Sequence, residues 1–333
     1  MNLQRLSLAE WQDALPDAGY EPFHETAVLS VLEDHIEAEV HLLGGFKGER
    51  PVALLPLFVK SFPVGKIVTS PLPGMGIPQL GPIMMPASPK QRKREKVSRT
   101  FVEQVVDTYD LEDFTTLFTM SCRPAFEDPR QYVWSGLALD TKFTYQIDVS
   151  GRDVDELSAA ASKSLRREIR DADDLGIDVR QEGTDALKRV YVQTRERYAE
   201  QGKSFTLPWG YVRDLYEALD DRARVYVARS EDDEFQTGVT VFYSPGTAYF
   251  WQGGGRTVHD GVAVNSRIHW QIVEDLVEDP ALESVTSYDM VGANTERLCQ
   301  YKSKFGGELV PYYVLETSGY RMNVAKALYD LVK

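Results

Sequence analysis

Cysteine is nearly absent: Cys122 and Cys299 are the only two in 333 residues, far apart and outside any CxxC pattern. That excludes a multi-disulfide framework and leaves two readings, one long-range disulfide or two unpaired thiols in a reducing compartment, of which the second is the better. Histidine is scarce too, and His24, His35, His41, His259 and His269 form neither HxxxH nor HExxH. With no Cys/His cluster at zinc spacing, no metal site is expected. Long apolar runs are also missing. The most apolar stretch, Pro51 to Val59, is too short to span a bilayer. The opening residues, Met1 to Trp11, have no uninterrupted apolar core and meet an acid at Glu10. No signal peptide is expected, and the protein is expected to be cytoplasmic.

Positive charge is the remaining deficit. There are 37 Lys+Arg against 51 Asp+Glu, a net charge of −14 at pH 7. A surface of that sign repels DNA and anionic membranes unless its cations are locally concentrated. The acids are scattered (Glu33, Asp34, Asp110, Asp173, Asp174, Asp220, Asp221, Asp232, Asp233), not gathered in one tail. That distribution is expected of an acidic proteome adapted to a high-salt cytoplasm. What is present is ordinary globular composition: 43% hydrophobic, 26% charged and 11% aromatic residues, over a length that suits two domains.

Periodicity predicts alternating helices and strands. Glu39 to Leu43 and Pro51 to Val59 read as a hairpin across Lys47-Gly48-Glu49-Arg50. A Pro/Gly passage, Ser70 to Gly76, must be looped or extended. Val97, Phe101, Val102, Val105, Val106 and Tyr109 share one helical face, and Phe114 to Thr119 reads as a strand. The second half repeats the order. Arg224 to Ala228 and Thr237 to Tyr243 form a hairpin, Thr247 to Trp251 a third strand ending at Gly253-Gly254-Gly255. A helix with Val264, Ile268, Ile272 and Leu276 on one face and a strand from Ser284 to Met290 follow. Between the halves, Ser162 and Gly176 bracket a helix from Lys163 to Leu175 that carries Lys163, Arg166, Arg167 and Arg170. A second basic run, Lys90 to Lys96, reads as a solvated helix face.

The C-terminal third is the most informative. Tyr288-Asp289-Met290-Val291-Gly292 ends a strand, Asn294 reads as the N-cap of a short helix from Thr295 to Gln300, and the turn Tyr301-Lys302-Ser303-Lys304-Phe305-Gly306-Gly307 leads into a strand from Leu309 to Leu315. Strand-Asp-x-x-Gly followed by aromatic-Lys-x-x-Phe-Gly resembles the Fem-type aminoacyltransferases and the wider group of duplicated GNAT-like (BioF2-like) acyltransferases. Leu165-Arg166-Arg167-Glu168-Ile169-Arg170 with Gly176-Ile177-Asp178-Val179 is similar to the family's arginine helix and following strand. Tyr249-Phe250-Trp251-Gln252-Gly253-Gly254 is similar to its aromatic strand, and Asn265 with Trp270 to the start of its next helix. Leu55-Pro56-Leu57 and Gly81-Pro82 carry a looser likeness in the first half.

The resemblance implies an α/β fold of two tandem GNAT-like (acyl-CoA N-acyltransferase fold) domains, mixed sheets with flanking helices. It implies residues 1–143 plus 314–333 as one domain, closed by a terminal helix from Met322 to Leu331, and 144–313 as the other. It further implies an enzyme transferring an activated acyl group to an amine acceptor. No cofactor is held tightly; the co-substrate is aminoacyl-tRNA or acyl-CoA. Lys302 matches the family lysine that faces the reacting ester and stabilises the oxyanion or leaving group; the alternative is a surface lysine lying over Tyr301. Lys304 reads as solvated. Asp289 is the candidate to orient the amine or accept its proton, against a structural hydrogen bond into Gly292-Ala293-Asn294. Arg167 would contact an anionic substrate group, or else pair with Asp171 four residues on. Trp251 and Gln252 would line an acyl channel or pack in the core, and Tyr301 and Asn265 complete the substrate-binding set. The loop Gly254 to Ala263 departs from the Arg/Gln-x-x-Gly-x-Gly/Ala pattern that cradles the pyrophosphate of acyl-CoA on a helix N-terminus. Two other readings stand beside the transferase: an acyl-CoA-dependent N-acetyltransferase, and a non-catalytic binding module for tRNA or a lipid-linked sugar.

Overall fold

The structure, a computed structural model, describes residues 1–85, 88–255 and 258–317. The chain divides into two compact units, the first built from residues 1–142 with 311–317 and the second from Phe143–Val310. The expected terminal helix from Met322 to Leu331 lies outside the described residues.

In the first unit, β1 (Asn2–Leu6), α1 (Leu8–Ala14) and α2 (Thr26–His35) precede a hairpin of β2 (Glu39–Lys47) and β3 (Arg50–Ser61). β4 (Lys66–Ser70), the short β5 (Ile83–Met84), α3 (Gln91–Thr108), β6 (Thr116–Ser121) and α4 (Arg130–Trp134) follow. β1 to β4 pair antiparallel in chain order, while β4 and β6 are parallel. Parallel neighbours need a crossover, and α3 supplies it. Its face of Phe101, Val102, Val105 and Val106 is buried against Leu55, Leu57, Val68, Phe118 and Met120. Residues 314–316 of the chain's last strand pair antiparallel with β6 and close this sheet. The basic run at the start of α3 is exposed, as its composition predicts.

The second unit starts within β7 (Leu137–Asp148), followed by α5 (Val154–Ala160), α6 (Lys163–Asp174), β8 (Asp178–Glu182), α7 (Thr184–Glu200) and α8 (Trp209–Leu219). Next come β9 (Ala223–Arg229), β10 (Phe235–Ser244), β11 (Gly246–Gly253), a ribbon of β12 (Val258–His259) and β13 (Val262–Ala263), and α9 (Val264–Glu278). β14 (Val285–Asp289), α10 (Glu296–Lys302) and β15 (Glu308–Thr317) complete the described chain. The order of pairing repeats that of the first unit: β9, β10 and β11 run antiparallel, β11 and β14 are parallel across α9, and β14 is antiparallel to β7. Ile268, Ile272, Val273 and Leu276 of α9 pack on Tyr226, Ala228, Val239, Val241 and Tyr288.

Ser162 caps α6 by accepting the Leu165 amide, and Gly176 ends that segment at φ +67°, as the sequence predicts. The short helix differs. Thr295, not Asn294, is its N-cap, and it runs on to Lys302 instead of stopping at Gln300. Asn294 bonds elsewhere, across to β7. Its amide oxygen accepts the Phe143 amide at 2.8 Å and its nitrogen donates to the Phe143 carbonyl at 3.1 Å.

Candidate functional site

β11 and β14 are paired only as far as Tyr249 and Asp289. β11 then continues to Gly253 while the chain leaves β14, so Phe250 to Gly253 part from their parallel neighbour. The chemistry-bearing side chains gather where the strands separate.

Asp289 closes β14 and is fully buried. Its Oδ1 accepts the Thr144 hydroxyl at 2.6 Å and the Val291 amide at 2.7 Å, and its Oδ2 accepts from Gln146 Nε2 at 3.0 Å. Burial raises its pKa, and these donors together with the Lys302 charge oppose the rise. The carboxylate thus folds the Asp-x-x-Gly segment into a loop. Val291 and Gly292 both lie in the left-handed region, at φ +54° and +75°. A β-branched residue seldom adopts it, and strain of that kind concentrates at working sites.

The two left-handed residues turn their carbonyls onto one side chain. Lys302, 4% exposed at the end of α10, donates from Nζ to the Val291 carbonyl and, at 2.8 Å, to that of Gly292. Its ammonium lies 5.9 Å above the Phe250 ring. Burial pulls its pKa down to about 8, with Asp289 and Cys299 opposing the shift. An ammonium has three N–H donors; two are bound to carbonyls, and the third has no partner among the described residues.

A residue that sequence reasoning misses sits beside it. His269 of α9 is buried among Phe250 (ring centroids 4.7 Å apart), Phe305 (5.6 Å) and Tyr301 (6.2 Å), with Nδ1 2.8 Å from the Tyr288 hydroxyl. Burial first and the Lys302 charge second push its pKa down to about 3, so it is a neutral imidazole. Helix periodicity places it on the core face of α9, and the sequence carries no other signal for it.

The other candidates divide. Trp251 stacks on Phe242 with centroids 4.4 Å apart. Gln252 is buried at 6% exposure, and neither amide atom has a hydrogen-bond partner among the described residues; nor does the hydroxyl of Thr240, its cross-strand neighbour. Asn265, in the first turn of α9, donates to the Gly255 carbonyl at 2.6 Å, while its Oδ1 has no partner among the described residues. Tyr301 is half-buried, edge-on to Phe305 at 5.5 Å. Arg167 is 72% exposed and pairs with Asp171 at 3.7 Å. Lys304 is not solvated as expected. Its ammonium pairs with Glu168 Oε1 at 2.7 Å, and Glu168 Oε2 accepts the Ser266 hydroxyl, which ties the turn to α6 and α9.

Ahead of α9, β12 and β13 form a hairpin whose two-residue turn is Asp260 and Gly261, at φ +45° and +85°. Asp-Gly is the sequence favoured where both turn residues need positive φ. Arg256 and Thr257 of this loop lie outside the described residues. The first turn of α9 has no side-chain cap among the described residues.

Residues 159–303 match the family described as "Acetyltransferase (GNAT) domain". No curated protein matches the sequence. Among solved structures, FemX is similar at 10% identity, with a TM-score of 0.68 over 100% of both chains. L-PGS from Bacillus licheniformis is similar at 13% identity, TM-score 0.58, over 98% of this chain and 96% of that one. A tandem GNAT protein from the clavulanic acid biosynthesis pathway is similar at 13% identity, TM-score 0.50, over 96% and 99%. The chain therefore has the duplicated GNAT fold.

Proposed function

We propose, from a tandem GNAT fold with a GNAT family match over residues 159–303, that the protein is an acyl- or aminoacyltransferase acting on an amine. One observation carries the reading. A buried ammonium, Lys302, is fixed by two carbonyls at the point where the parallel strands part.

In such a transfer the amine attacks the carbonyl carbon of an activated ester or thioester and a tetrahedral oxyanion forms. The C–N bond is made, the C–O or C–S bond breaks, and the amine proton is passed on towards the leaving group. Lys302 acts on the developing negative charge with its remaining N–H. A pKa near 8 suits a group that donates a proton to the leaving group and recovers one. Asp289, whose contacts are to Thr144, Gln146 and Val291, acts as a positioning residue for the loop that holds Lys302. Gln252 and Asn265, each with polar atoms that lack a partner among the described residues, are assigned to substrate binding.

For the donor, the hairpin ahead of α9 supports an aminoacyl ester of tRNA. A pyrophosphate needs successive N–H groups at the helix start, and here a tight Asp260-Gly261 hairpin precedes α9 in place of a glycine-spaced loop. The description of the matched family favours acetyl-CoA as the second reading. Among the described residues no helix is long and apolar enough to cross a membrane, and the reading includes a cytoplasmic location with no tightly bound cofactor.

The test presents the purified protein with charged tRNA or acetyl-CoA, each with a panel of amines, and follows product by mass spectrometry. Transfer from one donor that drops in Lys302→Met, in a variant that still folds, is the expected result. Transfer at the wild-type rate in that variant rejects the role of Lys302. Retention of tRNA without transfer points to the binding-module reading.

A further inference from the structure

Lys302 is not alone in bringing positive charge to the place where β11 and β14 part. In a chain with 51 acids to 37 cations, most arginines have a carboxylate at hand. Arg130, Arg180, Arg224, Arg229 and Arg267 each pair with one at 2.6–2.8 Å. Arg197 and Arg297 do not. Among the described residues neither forms an ion pair or a hydrogen bond. Glu296, next to Arg297, accepts from Gln300 at 3.2 Å instead. Arg297 is exposed, but Arg197 is half-buried, with Cζ 5.7 Å over the Tyr198 ring. A guanidinium withdrawn from water ordinarily has an anionic partner.

Both arginines belong to helices fixed at the parted strand ends. On α7, Thr194 donates its hydroxyl to the Gly253 carbonyl at 2.9 Å, at the last residue of β11. Arg197 follows three residues on, less than one helical turn away. α10 folds back on the loop that leaves β14: Cys299 Sγ donates to the Ala293 carbonyl at 3.2 Å, and Lys302 to those of Val291 and Gly292. Arg297 precedes Lys302 on this helix by about 7.5 Å of rise. The two guanidiniums act on each other. Burial pulls the Arg197 pKa below the ordinary arginine value, Tyr198 opposes the shift, and the Arg297 charge adds to it.

We propose that Arg197 and Arg297 together bind a dianionic phosphate, a monoester or a pyrophosphate, carried by a substrate of this protein. Two positive charges stand within range of each other with no acid paired to either. A dianion neutralises both, whereas a carboxylate neutralises one. A phosphate monoester also presents three oxygens to planar N–H forks arriving from two different helices. Without an anion the pair repels itself and Arg197 stays partly desolvated without compensation; a bound phosphate removes both costs.

This deepens the acyltransferase reading and rests on it only for the ligand's part in the transfer. Arg197 and Arg297 hold one end of a substrate whose other end reacts at Lys302. A phosphorylated amine acceptor and the coenzyme A part of a thioester donor share the phosphate chemistry.

Calorimetric titration of the wild-type protein with O-phosphoethanolamine, coenzyme A and acetate tests the site directly, at about pH 8, where a phosphate monoester carries close to two charges. At least one phosphate compound should bind about tenfold or more tightly than acetate. Arg197→Gln and Arg297→Gln should each weaken that binding about tenfold or more, the scale of a lost charge-assisted hydrogen bond. Stability separates a ligand site from a structural pair. Without ligand both variants should keep or raise the melting temperature, because each removes a like-charge repulsion. With the phosphate compound, both should gain less than the wild type does. Tighter binding of phosphoethanolamine assigns the phosphate to the acceptor, and tighter binding of coenzyme A assigns it to the donor. No binding of either phosphate compound, acetate bound as tightly, variants that bind like the wild type, or both variants melting well below it without ligand would each overturn the proposal. None of these outcomes depends on transfer, so this inference and the role of Lys302 fail separately.

Discussion

Asp289 and Lys302 hold one residue from opposite sides: Asp289 Oδ1 accepts the Val291 N–H and Lys302 Nζ donates to the Val291 C=O. The two charges meet on that residue without a direct hydrogen bond between them. The strained loop is therefore set by a carboxylate at its entry and an ammonium at its exit.

Replacing Lys302 by Met should lower kcat by about 10²–10³, the scale of losing one oxyanion donor. Two carbonyls lose their donor, and the fold should weaken by about 1–3 kcal/mol without unfolding. Asp289→Asn keeps an oxygen for Thr144 and Val291 but turns an amino group towards Gln146, whose amide must flip. A loss of about tenfold in kcat is expected. Because both act through Val291, the double variant should fall short of the product of the single losses; independent effects in kinetic assays would refute the linkage.

The pH profile should carry the mark of the buried ammonium. Its pKa of about 8 means that the charged form disappears as pH rises past 8, and kcat should decline there. Stability runs the other way. Between about 8 and the ordinary lysine value of 10.5, the unfolded chain binds a proton that the folded protein has released. Stability from this group therefore rises with pH across that window. Lys302→Met should remove both trends, read from rate and melting-temperature profiles.

How much of this is legible in the sequence depends on how local the cause is. The cap of α6 by Ser162, its Gly176 ending and the core faces of α3 and α9 are fixed within a few residues, and periodicity finds them. Periodicity does not single out α7 and α8. The buried face of α7 includes Val190, Tyr191 and Thr194, residue types that are as much at home in strands. The site is less local still. Lys302 stands out as a candidate through a family likeness, but its cradle needs Val291 at positive φ, which no pattern predicts for valine. The exposure of Arg167 follows from how α6 lies on its neighbours, and the basic helix pattern is silent on that.

Gly306 and Gly151 separate close approach from backbone conformation. Both have positive φ, at +75° and +63°. A Cβ at Gly306 would lie 2.8 Å from the backbone carbonyl of Ala160, whereas one at Gly151 meets nothing within 4 Å. Gly151→Ala should cost about 1–2 kcal/mol, the left-handed penalty alone. Gly306→Ala should cost clearly more in denaturant titration, because rigid backbone has to move at the turn behind Lys302. Equal losses would show that contact is unimportant there.

His269 predicts acid sensitivity. Its folded pKa is about 3 against 6.5 for an ordinary histidine, so in that interval only the unfolded chain takes up the proton. Stability is lost as pH falls through this window, by about 2 kcal/mol at pH 5 for this residue. His24, also buried with a pKa of about 3, adds in the same sense, while Asp289, whose pKa burial raises, opposes it. His269→Phe should reduce the fall in melting temperature between pH 7 and pH 5. An unchanged fall would mean that the imidazole is not the group responsible.

Val291→Gly separates stability from function. Holding a β-branched residue at φ +54° costs about 1–3 kcal/mol, which glycine would relieve. Glycine itself loses more chain entropy on folding, about 0.5–1 kcal/mol. The net expectation is a protein of equal or slightly greater stability. Activity should move the other way. Glycine at 291 next to Gly292 leaves two unrestrained residues between the Asp289 anchor and the carbonyls that fix Lys302, so the ammonium is held less firmly. A fall in kcat of about tenfold with no loss in melting temperature is expected, since small misplacements at a reacting centre are costly. A variant that is both less stable and fully active would mean that the valine side chain is kept for packing, and that the left-handed turn adds nothing to the placement of Lys302.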